Sequence, residues 1–112
     1  MGWCWADFGY AGSEVDAIIH QPLRLKIMAA LYAARSNGPI EFTRLRALVG
    51  ATDGNLGSHL ATLEGAGYLH LEKDFLNKKP RTRAEISRSG EKAFQEHIAY
   101  LKEVIAATEQ ND

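Results

Sequence analysis

From Leu23 onward, apolar residues recur at helical spacing: Leu23, Ile27, Ala30, Leu31 and Ala34 form one stripe, as in a helix with a buried face. Pro22 suits the first turn of that helix, where a missing N–H costs nothing. Asn37-Gly38-Pro39 is expected to stop it, supplying a left-handed cap and then a residue that cannot continue the helix. Ahead of it, Ser13-Glu14-Val15-Asp16 reads as a capping box opening a short helix through Ile19. Behind it, Ile40-Glu41-Phe42 is long enough only for a stub of strand. Thr43 is then the expected N-cap of a second helix, Arg44 to about Val49, with Leu45, Leu48 and Val49 inward.

Gly50-Ala51-Thr52 forms a short turn, and Thr52 caps a third helix from Asp53 to about Glu64. Its Leu56, Leu60 and Leu63 lie at i, i+4 and i+7, on a single buried face. Gly65-Ala66-Gly67 ends it. Two short helices about a tight glycine-containing turn make the helix-turn-helix pattern. The period then changes from helical to alternating. Leu69 and Leu71 fall on one side of a strand from Tyr68 to Asp74, while Thr82, Ala84 and Ile86 share one side of a strand from Arg81 to Ser87. Phe75 to Pro80 is the expected connection, with Asn77, Lys78, Lys79 and Pro80 at the hairpin tip. A last helix spans about Ser89 to Thr108. In it Phe94, Ile98, Leu101 and Ile105 are spaced 4-3-4, the seam of a coiled-coil contact. Ala93, His97, Tyr100 and Val104 form a parallel stripe, so this face is wide enough for a core and a partner helix. The fold class is therefore mostly α with a small β-hairpin (α+β). The expected parts are an aromatic N-terminal segment (1–14), a helix-turn-helix with its hairpin (15–88) and a C-terminal helix with a face free for a partner (89–112).

Composition narrows this further. The 112 residues suffice for one domain with one modest core. The single cysteine, Cys4, rules out an internal disulfide framework and multi-cysteine zinc sites. It suits a reducing cytosol, and packing is its expected role. The N-terminus lacks a secretory signal pattern. No apolar run approaches the ~18 residues that cross a bilayer, so a cytoplasmic protein without membrane contact is expected. The net charge of −1 conceals an uneven distribution: residues 1–19 and 93–112 each carry −3, while residues 20–92 hold 12 Lys/Arg and 7 Asp/Glu. A basic centre between acidic ends suits a polyanionic partner for the middle of the chain alone. Trp3, Trp5, Phe8 and Tyr10 crowd the first twelve residues. That much aromatic surface calls for a cover, from this domain or a second copy.

The order helix, stub strand, helix, turn, helix, hairpin, long helix is that of a winged helix. The run Asp53-Gly54-Asn55-Leu56, Ser58-His59-Leu60, Leu63-Glu64 and Ala66-Gly67-Tyr68 resembles winged-helix regulators related to the MarR and ArsR groups. Lys73, Phe75, Lys79-Pro80-Arg81-Thr82 and Ser87-Arg88-Ser89-Gly90 continue the likeness, and His20 to Met28 resembles the opening helix of the same group. The resemblance covers roughly residues 18–105. It implies a transcriptional regulator, usually a homodimer, with the third helix in the major groove and the wing against the backbone. The chain departs from the pattern at Ala61-Thr62, where such proteins often carry basic residues, and in its N-terminal tryptophans.

The candidate site follows. Asn55, Ser58, His59 and Thr62 line the outward face of the third helix, with Thr52, Asp53 and Gly54 at its tip. These short polar groups suit base edges and phosphates, and the free N–H groups of the first turn favour a phosphate. Asp53 also suits the positive end of the helix dipole. Lys78, Lys79, Arg81 and Arg83, with Arg88 close behind, are opposed within that run only by Glu85, a strong electrostatic signal. Arg44 and Arg46 are candidate backbone contacts or solvated charges. Trp3, Trp5, Phe94, Ile98, Leu101 and Ile105 are the expected dimer contacts. His20, His59, His70 and His97 are scattered with no i, i+4 pair, so no metal is expected. Nor is a cofactor, because phosphate loops, nucleophile elbows and acid/base clusters are missing. The expected partner is a palindromic double-stranded operator, and no effector is legible. The rival reading is a protein–protein winged-helix module, in which the basic wing is incidental.

Overall fold

A computed structural model describes residues 16–110. Its elements are α1 (Pro22–Ala33), β1 (Ile40–Glu41), α2 (Phe42–Val49), α3 (Asp53–Gly65), β2 (Leu69–Leu76), β3 (Lys79–Ile86) and α4 (Arg88–Gln110). Among the described residues these make four helices and a small antiparallel sheet of order β1-β3-β2, a winged-helix arrangement with an added C-terminal helix.

The chain approaches α1 through one turn rather than the short helix expected. Asp16 Oδ1 accepts from the N–H groups of Ile18 (2.9 Å) and Ile19 (3.2 Å), and its carbonyl accepts from His20 (2.8 Å). Ser13, Glu14 and Val15 of the expected capping box lie outside the described residues, as do Trp3, Cys4 and Trp5. Gln21 Oε1 caps α1 by accepting from Arg24 N at 2.9 Å. Pro22 occupies the first turn, and Ile27, Met28 and Leu31 are buried. The helix ends at Ala33, before Asn37-Gly38-Pro39. A turn follows, and Gly38 (φ +93°) then takes the left-handed conformation.

Thr43 is not the N-cap of α2. Ile40 and Glu41 pair with Ala84 and Arg83 of β3, so the backbone is still extended at Glu41, which becomes the N-cap. Leu45 and Val49 reach the core, but Leu48 is 56% exposed rather than inward. Leu48 and Val49 fall on opposite sides of Leu45 around the helix, and the core lies on the Val49 side. Thr52 does cap α3, its hydroxyl accepting from Asn55 N at 3.2 Å. Leu56, Leu60 and Leu63 are buried as their spacing requires.

The sheet is larger than expected. The stub at Ile40 is a third strand, and Phe75–Pro80 is not a loop. The strands continue to Leu76 and Lys79 around a two-residue turn, Asn77-Lys78, with φ of +52° and +68°. That is the type I′ geometry, whose twist matches the strands it joins. Leu69 opposite Ile86 and Leu71 opposite Ala84 form the core-facing side.

α4 joins the wing root at a tight seam. Ser87 and Ser89 hydroxyls both donate to the Gly67 carbonyl at 2.6 Å, and Ser87 N donates to Tyr68 O at 3.1 Å. Phe94, expected on a subunit-facing seam, sits in the chain's own core, 7% exposed, with its ring 5.0 Å from Tyr32. Ile98 packs at the core margin, while Ile105 is 58% exposed. The stripe from Phe94 to Ile105 therefore leaves the core as the helix advances.

Candidate nucleic-acid interface

α3 presents its polar residues in the order the periodicity requires. Thr52, Asp53, Gly54, Asn55, Ser58 and Thr62 are all exposed. The Thr62 hydroxyl turns back to donate to the Ser58 carbonyl at 3.2 Å. His59 differs from its neighbours. It is half-buried at the edge of this face, and its Nδ1 accepts from Arg24 Nε at 3.1 Å. Asp53 is ion-paired with Arg46, which straps α2 to the first turn of α3 across the helix-turn-helix. Arg46 is thereby a structural contact within the motif, while Arg44 stays exposed.

The wing's charges are partly spent within the hairpin. The register sets Asp74 opposite Arg81 and Glu72 opposite Arg83. Arg81 donates two parallel bonds to Asp74, at 2.9 and 2.8 Å, and Arg83 contacts Glu72 and Asp74. The Arg81 guanidinium, by hydrogen bonding above all, holds the Asp74 carboxyl below its ordinary pKa. These acids lie on the strand before the basic run, so counting charges within the run alone misses them. A two-residue turn at Asn77-Lys78 is the signal that would have revealed the pairing, because it fixes which residues face each other. Lys78 and Lys79 remain exposed and without an ion pair among the described residues, raised on the left-handed turn. Phe75 stands on the opposite side of the same tip, 73% exposed.

The histidines are less scattered than their sequence positions suggest. His20 and His97 meet edge to face, with ring centroids 5.4 Å apart. His97 is fully buried; its Nδ1 accepts from Asp16 N at 3.4 Å and its Nε2 has no partner among the described residues. Burial, and then His20 beside it, lowers its pKa. Nearby, Tyr68 donates its hydroxyl proton to Asp16 Oδ2 at 2.7 Å. Burial, then that bond, pushes its pKa up to about 12. Among the described residues no group of three or more His, Cys, Asp or Glu could hold a metal ion. No described helix is long and apolar enough to cross a membrane.

Residues 23–105 match the winged helix DNA-binding domain family. The chain belongs to that family. In winged-helix terms α2 and α3 are the helix-turn-helix, and β2–β3 is the wing. The chain is 33% identical over 81 residues to an uncharacterized protein of Methanocaldococcus jannaschii, covering 72% of this chain and 85% of that one. It is similar to a transcriptional regulator homologue from Pyrococcus horikoshii, with a TM-score of 0.75 and 31% identity over 83% of this chain and 89% of that one. It also shares its fold with S. aureus MepR, solved as a complex with DNA, at a TM-score of 0.63 and 15% identity, over 95% of this chain and 80% of that one. The same fold is found in a MarR-like transcriptional regulator from Thermotoga maritima, at a TM-score of 0.56 and 14% identity over 96% of this chain and 75% of that one.

Proposed function

We propose that this winged-helix protein is a homodimeric transcriptional repressor that binds a palindromic double-stranded operator in the cytoplasm. α3 enters the major groove and presents Asn55, Ser58, His59 and Thr62 to base edges. Thr52, Asp53 and Gly54 bring its N-terminus to a phosphate. The wing lies along the backbone, with Lys78 and Lys79 as its free charges and Arg81 and Arg83 contributing through a partly neutralised face. Ile98, Leu101 and Ile105 of α4, with Trp3 and Trp5, form the subunit contact. Two-fold symmetry then sets half-sites about one helical turn, ~34 Å, or a multiple of it apart.

One observation carries this reading: an exposed polar face on α3 accompanies unpaired lysines at the tip of the adjoining wing. The fold shared with a regulator solved on DNA supports it. The test is a titration of labelled duplex across a salt series. Wild type should bind with a steep salt dependence. Replacing Lys78 and Lys79 by Ala should reduce the log–log slope by about 1.8, at about 0.9 for each phosphate no longer neutralised. Absence of binding at low salt overturns the reading and favours a protein-binding module. Sedimentation of an I105E variant tests the dimer, since Ile105 is exposed and its replacement leaves the core intact.

A further inference from the structure

The half-buried histidine of α3 has its hydrogen-bonding state set from another helix. Arg24 is held at the start of α1 by three contacts. Its backbone N–H is capped by Gln21 Oε1 at 2.9 Å, its Nη1 donates to the Ile18 carbonyl at 3.0 Å, and its Nε donates to His59 Nδ1 at 3.1 Å. A guanidinium can only donate, whereas a neutral imidazole has one donor and one acceptor nitrogen. The bond from Arg24 therefore makes Nδ1 the acceptor and leaves the ring proton on Nε2. Nε2 makes no hydrogen bond among the described residues and is not a buried atom, so it reaches solvent beside Asn55 and Thr62.

We propose that Arg24 is a specificity-determining positioning residue, holding His59 as an Nε2–H donor on the base-reading face. This rests on the reading of α3 as the groove helix. In the major groove, acceptors are guanine N7 and O6, adenine N7 and thymine O4, while cytosine N4 and adenine N6 are donors. A histidine fixed as a donor selects an acceptor edge and rejects the cytosine amino group. One whose tautomer is free can meet either, and discriminates less. Arg24 thus shapes sequence preference from α1 without touching DNA, and should leave the salt dependence unchanged.

The experiment has two arms on the full chain. Long-range nitrogen–proton correlation spectra at neutral pH report the His59 tautomer in the absence of DNA. Wild type should show an unprotonated Nδ1 and protonated Nε2, and R24M should show a mixture. Binding-site selection from a random duplex pool, with wild type, R24M, H59F and the double variant, reports base preference. At the base pair read by His59, wild type should favour guanine or thymine over cytosine by about fivefold, the scale of one hydrogen bond. H59F and R24M should each lose most of that preference, and the double variant should resemble H59F, because Arg24 acts through His59. Melting curves confirm that R24M is folded. A wild-type His59 protonated on Nδ1, or a tautomer indifferent to R24M, overturns the proposal alone. An additive double variant, or a preference unmoved by H59F, overturns the specificity role. If wild type binds no duplex, the base-reading role falls together with the functional reading, while the tautomer result still stands or fails separately.

Discussion

Gly90 and Gly57 both lie inside helices, and helix propensity alone makes the same forecast for both. Exchanging an interior glycine for alanine should stabilise each by about 1 kcal/mol or less. The surroundings separate them. Gly57 is exposed on α3, and a methyl group there meets nothing within 4 Å. A methyl group on Gly90 would stand 1.9 Å from the Tyr68 carbonyl oxygen and 3.0 Å from Ile86 Cγ1. The first of these is backbone, fixed by the bond from Ser87 N, and cannot swing aside. Overpacking of this kind costs about 1–3 kcal/mol. Displacing the Tyr68 carbonyl also weakens a hydrogen bond worth about 1 kcal/mol. Against at most about 1 kcal/mol of propensity, G90A should be destabilised by about 2 kcal/mol, while G57A gains slightly. Thermal melts followed by circular dichroism should show G90A lower by about 8 °C, at about 4 °C per kcal/mol for a domain of this size. A G90A protein as stable as wild type, alongside a stabilised G57A, would mean that α4 does not meet the wing root so closely.

Three further outcomes follow from the hydrogen-bonded and buried polar groups. Because the pKa of His97 is lowered on folding, the unfolded chain binds more protons below about pH 6.5. Stability should therefore fall as pH drops through that value, by at most about 1.4 kcal/mol per pH unit for this group, and denaturant melts of H97N should show a flatter profile. D74N removes the acid that occupies Arg81, so duplex affinity should rise and the salt slope steepen by up to about 0.9; an unchanged titration would show that Arg81 never reaches a phosphate. Ultraviolet titration should resolve one tyrosine ionising near pH 12, and Y68F should abolish that step while costing about 1–2 kcal/mol of stability.

Periodicity carried most of the architecture. The apolar rows Ile27–Leu31 and Leu56–Leu60–Leu63 and the alternation at Leu69/Leu71 and Ala84/Ile86 report burial directly, because each element's repeat is set by its own backbone geometry. The Thr52 cap and the Pro22 start are legible for the same reason, since each acts within three or four residues. Element ends were less legible where another segment decided them, as at Glu41, whose pairing with Arg83 overrides the capping tendency of Thr43.

Of the candidate site, the sequence alone determined which polar residues α3 turns outward and that the hairpin is basic. Tertiary structure decided what those charges are free to do. Arg81 and Arg83 looked available until strand register set Asp74 and Glu72 against them. His59 looked like one polar residue among several until Arg24, 35 positions away, took its Nδ1. His20 and His97, 77 positions apart, looked unrelated until α4 packed beside the turn that begins at Asp16, and Phe94 looked subunit-facing until that packing enclosed it. Local spacing encodes which side of an element is buried, but a hydrogen-bond or ion-pair partner is set by register and by chain closure, which no short window of sequence contains.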